Sequence, residues 1–171
     1  MNATIRPADD DDYEEIRTVA RETWHETYDE LDADTVDRTI DEWYGDEALE
    51  TALSKAGTAF LVAEKGGDEG ASNGERDVVG FTHGVVSGDE GDVLRMAVHP
   101  DHQGEGIGTS LHDRLREDLE DFNMERMRAI DLASNEGGQA FYEQLGFEQT
   151  GEGTVEIGDQ ERQEVVYTLE L

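Results

Sequence analysis

The sequence predicts an α/β (α+β) fold in which a mixed central sheet of about seven strands is flanked by about four helices. Three observations carry that expectation. Short apolar runs alternate with longer stretches whose apolar residues recur every three or four positions, the periods of strand and helix. One run, residues 93–98, passes through His99-Pro100 into a turn with glycine at every second position (Gly104, Gly106, Gly108), and then into an amphipathic helix. No repeat or linker composition divides residues 1–171. One domain is therefore expected, large enough to bury about 70% of its unfolded surface.

Residues 4–6, ahead of Pro7, read as the first strand. The acidic run 9–12 supplies an N-cap and a negative first turn to a helix with Tyr13, Ile16, Val19, Ala20 and Trp24 on one face. His25 and Tyr28 continue that line. A second helix is expected from about 34 to 52, with Val36, Ile40, Trp43 or Tyr44, and Leu49 turned inward. Residues 58–64 alternate little and read as a strand covered on both faces. They pair with residues 78–86 as a hairpin around the polar, glycine-rich segment 66–77, expected to be mobile and without catalytic function.

A turn at 88–91 leads into the strand 93–98. The helix after the glycine turn carries Ile107, Leu111, Leu115, Leu119 and Phe122 as one stripe facing a sheet. Residues 127–132 read as a strand, and the next helix runs from near Asn135 to a stop at Gly146. Gly137 and Gly138 each cost that helix up to about 1 kcal/mol of propensity, which predicts a loose start. Two strands, 147–156 and 163–169, close the chain through Gly158-Asp159. The resulting order is β-α-α-β-β-β-α-β-α-β-β.

Composition narrows the function classes. The chain holds 44 acidic and 13 basic residues, a net charge of −31, and its lysines are Lys55 and Lys65. Nucleic-acid binding needs a basic face, so it is excluded as a partner. In a folded chain this balance reads as the acid-saturated surface of a salt-adapted protein, because at molar salt a Debye length of about 3 Å screens the self-repulsion. The absence of cysteine excludes disulfides, thiolate metal sites and a cysteine nucleophile. No stretch approaches the eighteen or so apolar residues of a membrane span, and the N-terminus has no apolar run. A cytoplasmic protein without membrane association is expected.

The glycine turn can aim several consecutive amides at one spot, and the helix behind it adds unpaired N–H groups and the positive end of its dipole. That suits a phosphate or pyrophosphate; the alternative is a strand-to-helix turn with no ligand. A dinucleotide turn fits poorly, since the third glycine comes one residue early and the next strand begins only near Arg126. Gln103-Gly-Glu-Gly-Ile-Gly108, preceded by Val98-His-Pro100, resembles the Gln/Arg-x-x-Gly-x-Gly/Ala signature of the GNAT superfamily of acyl-CoA-dependent N-acetyltransferases. Downstream, Asn135 and Phe141-Tyr-Glu-Gln-Leu-Gly-Phe147 are similar to that family's second segment. The predicted element order is also that of the family, whose fourth and fifth strands splay apart to admit the cofactor.

The resemblance implies direct attack of a primary amine on acetyl-CoA, with no acyl-enzyme. It assigns the pantetheine to the backbone of Met96, Ala97 and Val98, one of whose amides polarises the thioester. The pyrophosphate falls to the amides of Gln103, Gly104, Glu105, Gly106, Ile107, Gly108 and Thr109, and Asn135 contacts the pantetheine arm. Tyr142 matches the general acid that protonates the leaving thiolate. Asp92 fits the place of the general base, with Glu90 and His83 as competitors. Trp24 and Tyr28, with His25, Trp43 and Tyr44 beside them, would line the acceptor wall; core aromatics are the other reading for the tryptophans.

This chain departs from many relatives in having no Lys or Arg from His99 to Thr109 and an acid, Glu105, in the loop, which leaves the 3′-phosphate without an assigned partner. His99, Asp101 and His102 read as polar residues at a helix start rather than metal ligands, so no metal is expected. The acceptor stays open between a small-molecule amine and a peptide or protein amine. Dimerisation is common in the family, and no residue pattern here fixes it. A non-catalytic acyl-CoA-binding or regulatory module is the competing function.

The charge balance has a direct test. The melting temperature should rise between tens of millimolar and molar potassium chloride, because lowering the salt lengthens the Debye screening distance beyond about 10 Å. A melting temperature that is flat across this range contradicts salt adaptation.

Overall fold

The computed structural model describes residues 3–28, 30–66, 76–158 and 160–171. Seven strands form one sheet: β1 (Thr4–Pro7), β2 (Thr58–Gly66), β3 (Arg76–Ser87), β4 (Glu90–Val98), β5 (Arg126–Leu132), β6 (Glu148–Ile157) and β7 (Gln160–Glu170). The helices are α1 (Tyr13–Thr27), α2 (Ala33–Trp43), α3 (Asp46–Ser54), α4 (Ile107–Asp121) and α5 (Glu136–Gln144). The strand order is β1-β2-β3-β4-β5-β7-β6. Only β4 and β5 run parallel among these neighbours.

Two apolar layers cover the sheet. On one side Leu111, Leu115 and Leu119 of α4 pack with Leu61, Val79, Val93, Met127, Ala129 and Tyr142. Gly84 and Gly91 lie directly beneath Leu115 and Leu119, so that α4 sits close on the strands. On the other, Ile16, Val19 and Ala20 of α1 join Val36, Ile40 and Leu49 against Phe60, Val62 and Phe81. The predicted helical faces are those buried.

Three expectations are corrected. The second helix is two, because the chain turns at Gly45, whose ψ of 165° breaks the helical path before α3. Five helices therefore flank the sheet. Phe122 leaves the α4 stripe: it stands past the helix end and is 53% exposed. At the first helix, Asp9 caps a 3-10 turn at Asp10–Asp12, and Asp12 receives a paired contact from Arg6 (2.8 Å for each nitrogen) before α1 begins. The loop expected within 66–77, and its expected lack of catalytic function, falls largely on residues 67–75, outside the described residues. Asp159 of the last turn lies outside them as well.

The feature that positions the site is the short pairing between β4 and β5. It covers Glu90↔Arg126 to Val93↔Ala129 and stops there. Beyond it β5 continues on β7 as far as Leu132↔Glu164, and β4 continues on β3 as far as Gly80↔Val98. A register shift opposite His83/Gly84 leaves Leu94 as an extra residue in β4, just where the strands part.

Candidate functional site

Where β4 leaves β5, one edge of β4 has no strand beside it. Backbone groups alternate direction along an antiparallel strand. The His99 N–H is bonded to Val79 O on β3 (2.8 Å), so Ala97 also faces β3, while Met96 and Val98 turn their amides toward the opening. The Val98 carbonyl on that side already accepts from Gln103 Nε2 (3.0 Å) and Thr23 Oγ1 (3.4 Å). This ties the end of β4 to the loop that follows and to α1.

That loop reaches α4 through Gly106, the N-cap, at φ 84°, with Gly104 at φ 82° before it. Both values lie in the left-handed region that side chains disfavour. Nothing would touch a Cβ at either position, so conformation and not crowding calls for glycine. The first helical bond of α4 is Ser110 N–H to Gly106 O (3.0 Å), and no side chain caps the turn. The N–H groups of Ile107, Gly108 and Thr109 are thus left for a ligand, at the positive end of the helix. Gly108 serves packing: a Cβ there would press on the Phe141 ring at 3.2 Å.

A cleft of about 640 Å³ runs along this edge. Of the residues expected to bind cofactor, Met96, Ala97, Val98, Gln103, Gly104, Gly106, Ile107, Gly108, Thr109, Asn135 and Tyr142 all line it. Glu105 does not. It turns away to Lys65 Nζ on β2 (2.5 Å) and His102 Nδ1 (3.6 Å). The Lys65 contact comes first in holding its carboxyl below the usual range. The loop therefore has a lysine neighbour that its own sequence lacks.

Tyr142 of α5 is buried among Phe141, Phe147 and Tyr167, with ring centroids 5.2–6.4 Å apart. Burial first, then the nearby charge of Asp131, push its phenol pKa upward and keep it protonated. Asp131, near the end of β5, is the residue that the pattern of the sequence did not single out. Its carboxylate accepts from Leu132 N (2.9 Å), Asn135 Nδ2 (3.0 Å) and the Tyr28 hydroxyl (3.3 Å). Burial outweighs these donors and raises the carboxyl from 3.8 to about 6. Asn135 in turn caps α5, its Oδ1 accepting from Gly138 N (3.0 Å). A Cβ on Gly138 would overlap the Asp131 carboxylate and stand 2.6 Å from Asn135 Nδ2. The glycine expected to loosen this helix instead admits the carboxylate to its N-terminus.

A second pocket, of about 130 Å³, adjoins the cleft and shares Met96, Asp131 and Tyr142 with it. The expected acceptor-wall residues Trp24 and Tyr28 line it, with Trp43 and Tyr44. Trp24 stands edge-on to Tyr28 (5.0 Å) and Trp43 (5.4 Å). His25 points elsewhere, to Asp37 (2.9 Å). Asp92 is not brought to Tyr142: it lines neither pocket and lies where β4 and β5 are still paired, 3.5 Å from Arg128 Nε. Glu90 is bound to the same arginine (3.2 Å). His83 lies buried against the Phe60 ring at 4.9 Å, its pKa lowered to about 4 by burial. Among the described residues, the acidic or histidine group close enough to share a metal ion is the exposed run Asp9, Asp10 and Asp11, not His99, Asp101 and His102. No described helix is long and apolar enough to cross a membrane.

Comparison with known proteins agrees with this architecture. The model of the acetyltransferase (GNAT) domain family matches residues 56–149, just over half of the chain. The fold is similar to that of PaiA N-acetyltransferase from Thermoplasma acidophilum, solved with coenzyme A, at 22% identity and a TM-score of 0.80 over 100% of both chains. It is also similar to the ribosomal-protein-S18-alanine N-acetyltransferase of Escherichia coli, at 18% identity and a TM-score of 0.71 over 98% of this chain and 93% of that one.

The raised carboxyl of Asp131 makes a stability test. A folded-state pKa of about 6 against 3.8 means that the folded protein holds the proton more tightly. Stability is thus lost through this group as pH rises from about 4 to 6, by up to about 3 kcal/mol at 1.36 kcal/mol per unit. Asp131→Asn removes that component. Denaturant unfolding should show the variant gaining on the wild type as pH climbs from 4 to 7, and a difference that stays constant contradicts the assignment.

Proposed function

The chain belongs to the acetyltransferase (GNAT) domain family, and we propose that it transfers an acetyl group from acetyl-CoA to the primary amine of an acceptor by direct attack. The observation that carries this reading is a cleft lined by the freed edge of β4, the uncapped start of α4 and Tyr142, which shares Met96, Asp131 and Tyr142 with an aromatic side pocket. Acetyl-CoA supplies the thioester. The residues present suit it: backbone amides at Met96 and Val98 can pair with an extended amide-bearing arm, as an added strand would. The N–H groups of Ile107 to Thr109 suit its pyrophosphate. Lys65, held beside the loop by Glu105, adds a positive charge next to it.

The proposed chemistry uses two side chains. Asp131 takes the proton of the acceptor's ammonium, directly or through one water, so that a free lone pair attacks the thioester carbonyl. Its pKa of about 6 leaves it ionised at neutral pH, yet more basic than an ordinary carboxylate. The freed amide of Met96 or Val98 would steady the oxyanion. As the C–N bond forms and the C–S bond breaks, Tyr142 gives its proton to the departing sulfur, and the remaining proton shed by the nitrogen returns to the phenolate, directly or through water, leaving a neutral amide and free thiol. Two placements support Asp131 over Asp92 as base: it lines both pockets with Tyr142, and among the described residues no arginine pairs with it, whereas Asp92 has Arg128.

Release of free thiol from acetyl-CoA with a panel of amines, in molar potassium chloride, separates this enzyme from a non-catalytic acyl-CoA-binding module. Gly106→Val should weaken acetyl-CoA binding at least tenfold by calorimetry, about 1.4 kcal/mol, since valine resists the left-handed backbone at φ 84°. Unchanged affinity contradicts the loop assignment. Tyr142→Phe keeps the ring but removes the proton. Single-turnover rates should fall about 10²–10⁴-fold with little change in cofactor affinity. A variant reacting at the wild-type rate reduces the tyrosine to packing.

A further inference from the structure

Arg95 is an anomaly of charge. In a chain with 44 acids and 13 bases, Arg6, Arg17, Arg21, Arg126 and Arg128 each pair with a carboxylate. Arg38 and Arg162 have no carboxylate but donate to Asp34 O (3.4 Å) and Gln160 Oε1 (2.9 Å); Arg95 has neither an ion pair nor a hydrogen-bond acceptor among the described residues. Its Nη1 is buried and has no hydrogen-bond partner. Its guanidinium lies over the Tyr44 ring, Cζ 4.6 Å from the centroid, a contact that holds its position and leaves its N–H groups open. His83, its register partner on β3, supplies no anion: its pKa lowered to about 4 makes it a neutral imidazole, and both its ring nitrogens are also unpartnered.

The same small pocket that Arg95 lines is bordered by two carboxylates across the gap between the strands, Asp131 and Glu164. Neither reaches Arg95 within ion-pair distance. The space between β4 and β5 thus presents a half-buried guanidinium with one enclosed nitrogen on one strand and an acidic pair on the other side. The apolar residues Leu94, Ile130 and Val155 line the same pocket. A buried polar nitrogen without a partner is rare in native structures, and a ligand anion is the simplest complement to a guanidinium fork.

We propose that the acceptor is a small amino-carboxylate, an α-amino acid with an apolar side chain, whose carboxylate pairs with Arg95 while its amine faces Asp131 and the thioester. This rests on the acetyltransferase reading and names the substrate class of that site. The carboxylate anchors the molecule at β4, which leaves the nitrogen at the junction of the two pockets, beside Tyr142. A pocket of about 130 Å³ has room for a side chain of modest size, with Trp24 and Trp43 as its walls. Arg95 is then a binding residue that sets specificity, and takes no part in proton transfer.

The test compares acids with the same amines lacking the carboxylate. Thiol release from acetyl-CoA is measured with leucine, methionine and phenylalanine, and with isoamylamine, 3-(methylthio)propylamine and phenethylamine. The wild type should favour at least one acid over its matched amine at least tenfold in kcat/KM. Arg95→Met should erase that preference by raising KM for the acid, and Arg95→Lys, which retains a point charge, should keep part of it. Equal use of acid and amine by the wild type overturns the inference, as does a preference that survives in Arg95→Met. Thiol release with no amine of any kind counts against the acetyltransferase reading instead. In that case calorimetry on the CoA-saturated protein decides the inference alone: binding of an acid at least tenfold tighter than its matched amine upholds it, and equal or absent binding overturns it.

Discussion

Four residue pairs, from Glu90↔Arg126 to Val93↔Ala129, join β4 to β5, and the site depends on where that ladder stops. At the closed end Arg126 and Arg128 hold Glu90 and Asp92 across the two strands, at 3.2–3.7 Å. Above it, each strand keeps only its outer neighbour. An unpaired backbone N–H withdrawn from water costs free energy comparable to a lost hydrogen bond, about 1–3 kcal/mol. The freed edge at Met96 and Val98 lines the cleft, so a ligand that displaces water there must replace its hydrogen bonds, and the uncapped turn before α4 sets the same condition a few residues later. Both open on the same cleft.

A tension of the opposite sign sits on β5. Asp131 is a carboxylate with three donors that still titrates near 6, because the surroundings that would stabilise its charge are outweighed by loss of water. Asn135 links it to the first turn of α5, and Gly138 is bare so that the link can close. The same arrangement that costs the folded state stability at neutral pH creates a basic group beside the phenol of Tyr142. Burial makes one carboxylate more basic and keeps one phenol protonated, the properties the proposed base and acid require.

The architecture was legible because period carried it: the stripe Ile107, Leu111, Leu115, Leu119 faces the sheet, and the strand order leads the glycine turn to the mouth of the cleft. Gly45 was harder to read, since a glycine with negative φ leaves no mark that separates a helix break from a tolerated glycine. The residues proposed for the cofactor lie close in sequence, and all but Glu105 line one cleft. The carboxylate proposed as base was not legible. Asp131 lies 103 positions from Tyr28, and only the packing of α1 against the parted strands brings them together. Lys65 reaches Glu105 across 40 positions for the same reason. One local sign did exist: a glycine pair just after an asparagine, at a helix start where propensity argues against it, marks a place where something must approach closely.

The central claim is that parted strands and an uncapped helix start offer their amides to one ligand. Amide hydrogen exchange by NMR, with and without saturating coenzyme A in molar potassium chloride, reads those amides one by one. Exchange should slow at Met96, Val98, Ile107, Gly108 and Thr109, and change least at Ala97, whose direction along β4 gives its amide to β3. Protection that is absent from these five amides, or that falls equally on Ala97, contradicts the account.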